Sequence, residues 1–90
     1  MNTSLAEQIK LPAILSLKFQ ANSMHVHLSD GRILIIPVAW YPRLLSAKKK
    51  QRNRFEISPA GYGIHWPDLD EDLSVYGFLF GPSNSSLQIR

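Results

Sequence analysis

Three groups of side chains in this sequence have types and spacings that chemistry could use. His25 and His27 stand two apart, so on an extended strand they share a face, and two imidazoles so placed can chelate a metal if a third ligand arrives from elsewhere. His65 is the only other histidine. Asp68, Asp70, Glu71 and Asp72 gather four of the seven acids within five positions just after it, the material of a metal-assisted hydrolase or an acid–base pair. Arg43, Lys48, Lys49, Lys50, Arg52 and Arg54 gather six of the ten basic residues within twelve positions, enough to neutralise several phosphates of a nucleic acid.

Each group also has a structural use that needs no chemistry. The histidines fit the solvated face of a sheet. Acids at the start of a helix cap it and complement its dipole. The basic residues, placed at about 100° intervals, wrap around a helix instead of forming one stripe, as a solvated face would. Trp40, Tyr41 and Trp66 fall outside the basic segment and read as core or hinge packing more readily than as stacking platforms for bases. There is no glycine-rich phosphate loop, no nucleophile-elbow pattern, and no serine or threonine beside a plausible base. No cofactor is implied, and no enzyme is indicated.

Composition narrows the classes further. Ninety residues with 44% apolar content support one hydrophobic core and not two. The absence of cysteine excludes thiol catalysis, thiolate zinc sites and disulfides, and it fits a reducing compartment. No basic start leads into an apolar run of signal-peptide length, and no stretch approaches the roughly 18 apolar residues of a membrane span. A cytoplasmic location without membrane contact is therefore expected. The net charge of +3 is mild, but its segregation into a basic and an acidic segment can steer a charged partner or let the chain pair with itself, so a homodimer is open.

The elements that would position these groups follow from periodicity. Leu15, Leu17 and Phe19 alternate with polar residues, as do Met24, Val26 and Leu28, giving two half-buried strands joined by a turn at Ala21-Asn22-Ser23. Asp30-Gly31 is a strong hairpin signal, with a primed turn expected. Ile33-Leu34-Ile35-Ile36 is apolar on both faces and should lie centrally, covered on both sides, until Pro37 ends its pairing. Pro42 presets a first helical residue and holds Tyr41 extended. One main helix is expected from about Pro42 to Arg54, with Leu44, Ala47, Gln51 and Phe55 in one sector and Leu45 outside it. Phe55-Glu56-Ile57 and Ile64-His65-Trp66 read as short strands around the turn at 59–63. Asp68 and Glu71 have capping-box spacing, with Ser74 a competing start, for a short helical segment carrying Leu73, Tyr76, Phe78 and Leu79 and stopped at Gly81-Pro82. The expected organisation is an α+β domain over 13–81, built on a small hairpin-rich antiparallel sheet, with an N-terminal arm over 1–12 and a flexible tail over 82–90.

Three strings carry a resemblance: Asp30-Gly31-Arg32; Pro37-Val38-Ala39-Trp40-Tyr41-Pro42-Arg43-Leu44; and the run from Gly63-Ile64-His65-Trp66-Pro67 through Asp68-Leu69-Asp70-Glu71-Asp72 to Leu73-Ser74-Val75. Together they resemble the prokaryotic domain-of-unknown-function family numbered 2442, over roughly residues 13 to 81. The resemblance implies a small α+β fold with a hairpin-rich sheet and one main helix, and no established reaction. It implies an accessory protein of a small bacterial gene pair, often beside another uncharacterised family numbered 4160, in a toxin–antitoxin-like arrangement. Some members add a helix-turn-helix segment; this chain ends soon after the last motif, and none is expected in it.

The motif residues themselves read as structural: Pro42 starts a helix, Trp40 and Trp66 fill or cover the core, and a polar clasp is expected between Arg43 and the acidic stretch of Asp68, Asp70 and Asp72, near His65. Among functions, the first reading is a non-enzymatic interaction module, antitoxin-like or regulatory, meeting another protein through the basic helix, by Arg43, Leu45, Lys48, Lys49, Lys50, Arg52 and Arg54, and through the adjacent aromatics. The alternative is nucleic-acid binding through residues 43 to 54. A third, a metal-dependent enzyme, would need His25, His27, His65 and the acids to reach one shared point.

Overall fold

Alternation of apolar and polar residues produces the first half of the fold. The computed structural model describes residues 11–81. In it β1 (Ile14–Gln20), β2 (Ser23–Leu28) and β3 (Ile33–Pro37) form an antiparallel sheet in the order β1-β2-β3. The inward side chains Ile14, Leu17, Met24, Val26, Leu28 and Ile36 are all buried. A bulge between Ile14 and Ser16 leaves Leu15 exposed. Two residues, Ala21 and Asn22, make the first turn, with Ala21 at φ 54°. The Asp30-Gly31 hairpin forms, but not through a two-residue primed turn. Gly31 N–H donates to Leu28 O at 3.1 Å while Leu28 N–H donates to Arg32 O at 2.9 Å, and Gly31 supplies the positive φ of 95°. This is the three-residue loop with a glycine bulge, and the Asp30 carboxylate fastens it by accepting from Arg32 N and Nε.

The central placement expected for the third strand is incorrect. β2 is the middle strand and β3 an edge, so Ile33 and Ile35 are exposed at 51% and 62%. Only the inner residues Leu34 and Ile36 meet the core, because no other described strand covers the outer face.

The second half is a smaller antiparallel sheet in the order β4-β5-β6, from β4 (Glu56–Ile57), β5 (Gly63–Trp66) and β6 (Glu71–Ser74). Ile57, Ile64 and Leu73 stand in register and face the core, and the neighbouring register row, Glu56, His65 and Asp72, faces outward. The sheets meet where Ile14 N–H donates to Gly61 O. Gly61 is buried there with φ 76°, and a Cβ on it would stand 2.7 Å from the Ala13 Cβ, so both backbone and space require glycine.

The α+β class therefore holds, while the single helix over 42–54 does not. A 3-10 turn at Val38–Trp40 leads into α1 (Pro42–Leu45), and α2 (Lys49–Arg52) follows as a separate turn. Side chains explain the break. The Arg52 guanidinium donates to Leu44 O at 2.8 Å and Leu45 O at 2.9 Å, carbonyls that a continuous helix would use for Lys48 and Lys49. Gln51 Oε1 accepts from Lys48 N–H at 2.9 Å, and Ser46 Oγ donates back to Pro42 O at 3.0 Å. Lys48 is extended at ψ 156°.

The capping box at Asp68 and Glu71 is also corrected. Residues 67–70 form the turn joining β5 to β6, with Asp70 at φ 51°, and Glu71 and Leu73 belong to a strand. The competing start is the real one: Ser74 Oγ accepts from Gly77 N at 3.0 Å to cap α3 (Val75–Phe80), which ends at Gly81. At the centre Trp66 is fully buried, edge-on to Phe19 at 6.5 Å, tilted against Phe55 at 6.0 Å, and its indole donates to Arg52 O at 2.9 Å. Trp40, expected to share that role, is 42% exposed. Among the described residues no helix is long and apolar enough to cross a membrane. Apart from Leu11 and Pro12, the expected arm over 1–12 and tail over 82–90 lie outside the described residues.

Candidate functional site

The two longest motifs converge although 26 or more residues separate their contacting members. Pro42 disfavours a helical Tyr41, which sits at φ −126° and ψ 95°. That extended step sends Trp40 toward solvent and Tyr41 inward, where its ring packs edge-on against Phe78 at 6.3 Å. One turn on, Arg43 Nη1 donates to Asp70 O at 2.6 Å and Leu69 O at 3.4 Å and stands 3.9 Å from Glu71 Oε1. Arg43 thus reaches the acidic stretch, but mainly through its backbone carbonyls. The carboxylates of Asp68 and Asp72 go elsewhere, Asp68 to Arg54 Nη1 at 2.6 Å and Asp72 to His65 Nδ1 at 2.8 Å.

Beside this junction lies a cleft of about 320 Å³, with Trp40, Tyr41, Glu71, Asp72 and Gly77 among its walls. Burial raises the Glu71 carboxyl above its ordinary value, opposed by the Arg43 charge and assisted by Asp72 and Asp70. Burial, with the Glu71 charge adding to it, pushes the Tyr41 phenol up to about 12. The cleft therefore has a neutral phenol, a partly desolvated carboxylate and an exposed indole side by side.

A larger concavity of about 450 Å³ lies on the second sheet, around Glu56, Tyr62, His65 and Asp72. Its serine hydroxyls already have roles: Ser58 Oγ accepts from Tyr62 N at 3.1 Å and Gly63 N at 3.2 Å, and Ser74 Oγ caps α3. His65 and Asp72 form an oriented pair, and among the described residues no hydroxyl is hydrogen-bonded to it. His25 and His27 lie on β2 of the first sheet, opposite Lys18 and Ser16 and away from His65 on β5. Among the described residues no group of three histidines and acids could hold a metal ion.

The basic segment divides by residue type. Arg43, Arg52 and Arg54 are spent on carbonyls and on Asp68, and Arg52 also lies 5.8 Å from the Phe19 ring centroid. Lys48, Lys49 and Lys50 are exposed, and Leu45 beside them is 47% exposed. Sequence reasoning missed the cleft because it placed Glu71 and Leu73 on a helix. The signal was present: Glu71, Leu73 and Val75 alternate with Asp72 and Ser74.

Two solved structures are similar to the chain. A protein of unknown function from Rhodospirillum rubrum ATCC 11170 has a crystal structure that superposes with a TM-score of 0.74 at 27% identity, covering 88% of this chain and 98% of that one. The solution structure of an uncharacterised protein from Chromobacterium violaceum gives a TM-score of 0.69 at 26% identity, covering 82% of this chain and 70% of that one. No curated protein matches. The match to the family described as "Protein of unknown function (DUF2442)" spans residues 14–82, nearly all of the folded body, and the chain belongs to that family.

Proposed function

We propose that this protein is a non-enzymatic, cytoplasmic interaction module, an antitoxin-like or regulatory partner that binds the product of a neighbouring gene. The observation that carries the reading is the division of the motif residues into two sets. Trp66, Arg43 and Asp68 hold the fold together, Asp68 by pairing with Arg54, whereas Trp40 stays 42% exposed and lines the cleft beside the junction where the motifs meet. Exposed tryptophan beside a concavity is the kind of anchor that dominates protein interfaces. On α3, which contributes Gly77 to the same cleft, Tyr76 and Phe80 stack at 4.7 Å while remaining 61% and 66% exposed.

The anchor moves relative to the first expectation, from the basic segment to the cleft, because three of the six basic residues are committed within the fold. Lys48, Lys49 and Lys50 keep nucleic-acid binding as the second reading, with a salt dependence of three phosphate contacts instead of six. The protein reading is tested by co-expressing the chain with the neighbouring gene product and measuring complex mass by size exclusion with light scattering. The expected outcome is a complex that the Trp40→Ala variant weakens at least about tenfold, the cost of losing one interface anchor.

A further inference from the structure

We propose that the cleft between Trp40 and β6 receives the guanidinium group of an arginine side chain carried by a protein partner; this rests on the interaction reading above and names the chemistry of its contact. Three observations meet there. Tyr41 is buried at 7% exposure and lines the cleft, and among the described residues no hydrogen bond satisfies its hydroxyl. Glu71, with its side chain 18% exposed, lines the same cleft, and among the described residues its carboxylate likewise accepts no hydrogen bond. Its nearest cation, Arg43 Nη1 at 3.9 Å, donates instead to the Asp70 and Leu69 carbonyls and is not part of the cleft wall. The third observation is the exposed Trp40, which lines the same cleft.

Two polar groups that share one cleft without a hydrogen-bond partner from the described residues offer themselves together to an occupant that satisfies both. A guanidinium does so. Its planar fork donates to a carboxylate and a phenol oxygen at once, and its face stacks on an indole. The Glu71 carboxylate favours a cation and repels a phosphate. A lysine ammonium would meet Glu71 but not exploit the flat indole. The raised phenol of Tyr41 keeps its proton at neutral pH, so the Glu71 carboxylate is the charge that the occupant meets. At about 320 Å³ the cleft is at the small end of ligand pockets, a fit for one inserted side chain and not for a whole folded ligand.

The test is a titration of the full 90-residue chain, ¹⁵N-labelled, with the blocked dipeptide acetyl-Gly-Arg-amide and, in parallel, its citrulline counterpart, which has the same shape without the charge. The expected result is saturable shifts of the Trp40 indole N–H and of backbone amides in 71–77, with a Kd of about 1–10 mM for so small a probe. Citrulline and the near-isosteric Glu71→Gln variant should each weaken binding at least about tenfold. A Trp40→Leu variant should do the same, while the signal of the buried Trp66 reports that each variant is folded. The proposal is overturned if the arginine probe produces no saturable shift, if citrulline binds equally well, or if Glu71→Gln binds like the wild type. A neighbour complex that keeps full strength in Glu71→Gln also overturns it, yet leaves the broader interaction reading standing.

Discussion

The two three-stranded sheets are stabilised in different ways. The first has strands of five to seven residues, joined by short turns, and its hydrophobic face follows from simple alternation. The second has strands of two to four residues, too short to be stable alone, and is fastened to the segment between the sheets by side-chain hydrogen bonds. Trp66 donates to Arg52 O, Arg54 pairs with Asp68, and Arg43 holds the β5–β6 turn by its carbonyls. The contrast explains why the two longest motif strings lie around the second sheet: a sheet that cannot support itself needs specific residues to hold it, and the cleft lies beside the Arg43 contact.

The largest effect expected from this contrast is that of Trp66→Ala. It empties the centre of the core and leaves Arg52 O without its donor, at a cost of about 3–5 kcal/mol in urea unfolding. A loss well below the cost of Val26→Ala in the first sheet would refute the unequal dependence. Gly61→Ala comes next, at about 2–3 kcal/mol, because it combines a positive φ with a 2.7 Å approach at the joint between sheets. Gly31→Ala in the first sheet meets open space and should cost only about 1 kcal/mol. Equal losses would show that the joint is not tight.

Arg52→Met should cost about 1–2 kcal/mol, since Leu45 O loses its side-chain donor while Leu44 O still accepts from Ala47 N. The smallest effect is that of Glu71→Gln, and its sign is informative. Burial raises this carboxyl, so the folded chain holds the proton more tightly than the unfolded chain does. The stability linked to this group is present at low pH and is lost as pH rises from the ordinary carboxyl value through the raised one. The Gln variant should therefore melt slightly higher than wild type near pH 7, with the gap closing as pH falls toward about 4. A variant that melts lower at neutral pH would mean that Arg43 stabilises the carboxylate more than burial penalises it.

The same contrast governs how much could be read from sequence. Alternation in 15–20 and 24–28 gave the first two strands, and Pro42 gave the extended Tyr41 and the start of α1, because these are local effects of side-chain period and ring sterics. The edge position of β3 was not legible: apolar residues on both faces describe Ile33 and Ile35 equally well as buried or as exposed. Helix propensity over 42–54 was overridden by hydrogen bonds between Arg52 and carbonyls seven and eight residues away. Asp68 and Glu71 had capping spacing, but their partners, Arg54 and Arg43, come from other elements. The arginines and lysines of one basic run looked alike in sequence, and only tertiary structure divides them into structural ties and free surface.

That division makes Trp40, and not the basic run, the residue on which partner binding should depend. The most direct test is the mass of the complex between this chain and its neighbouring gene product, measured for wild type, Trp40→Ala and the triple Lys48→Gln, Lys49→Gln, Lys50→Gln variant. The expected result is a complex that persists in the lysine variant and is weakened at least about tenfold in Trp40→Ala, with both variants still folded by their cooperative urea unfolding. A complex that survives Trp40→Ala at full strength, or that disappears with the lysines, would contradict it.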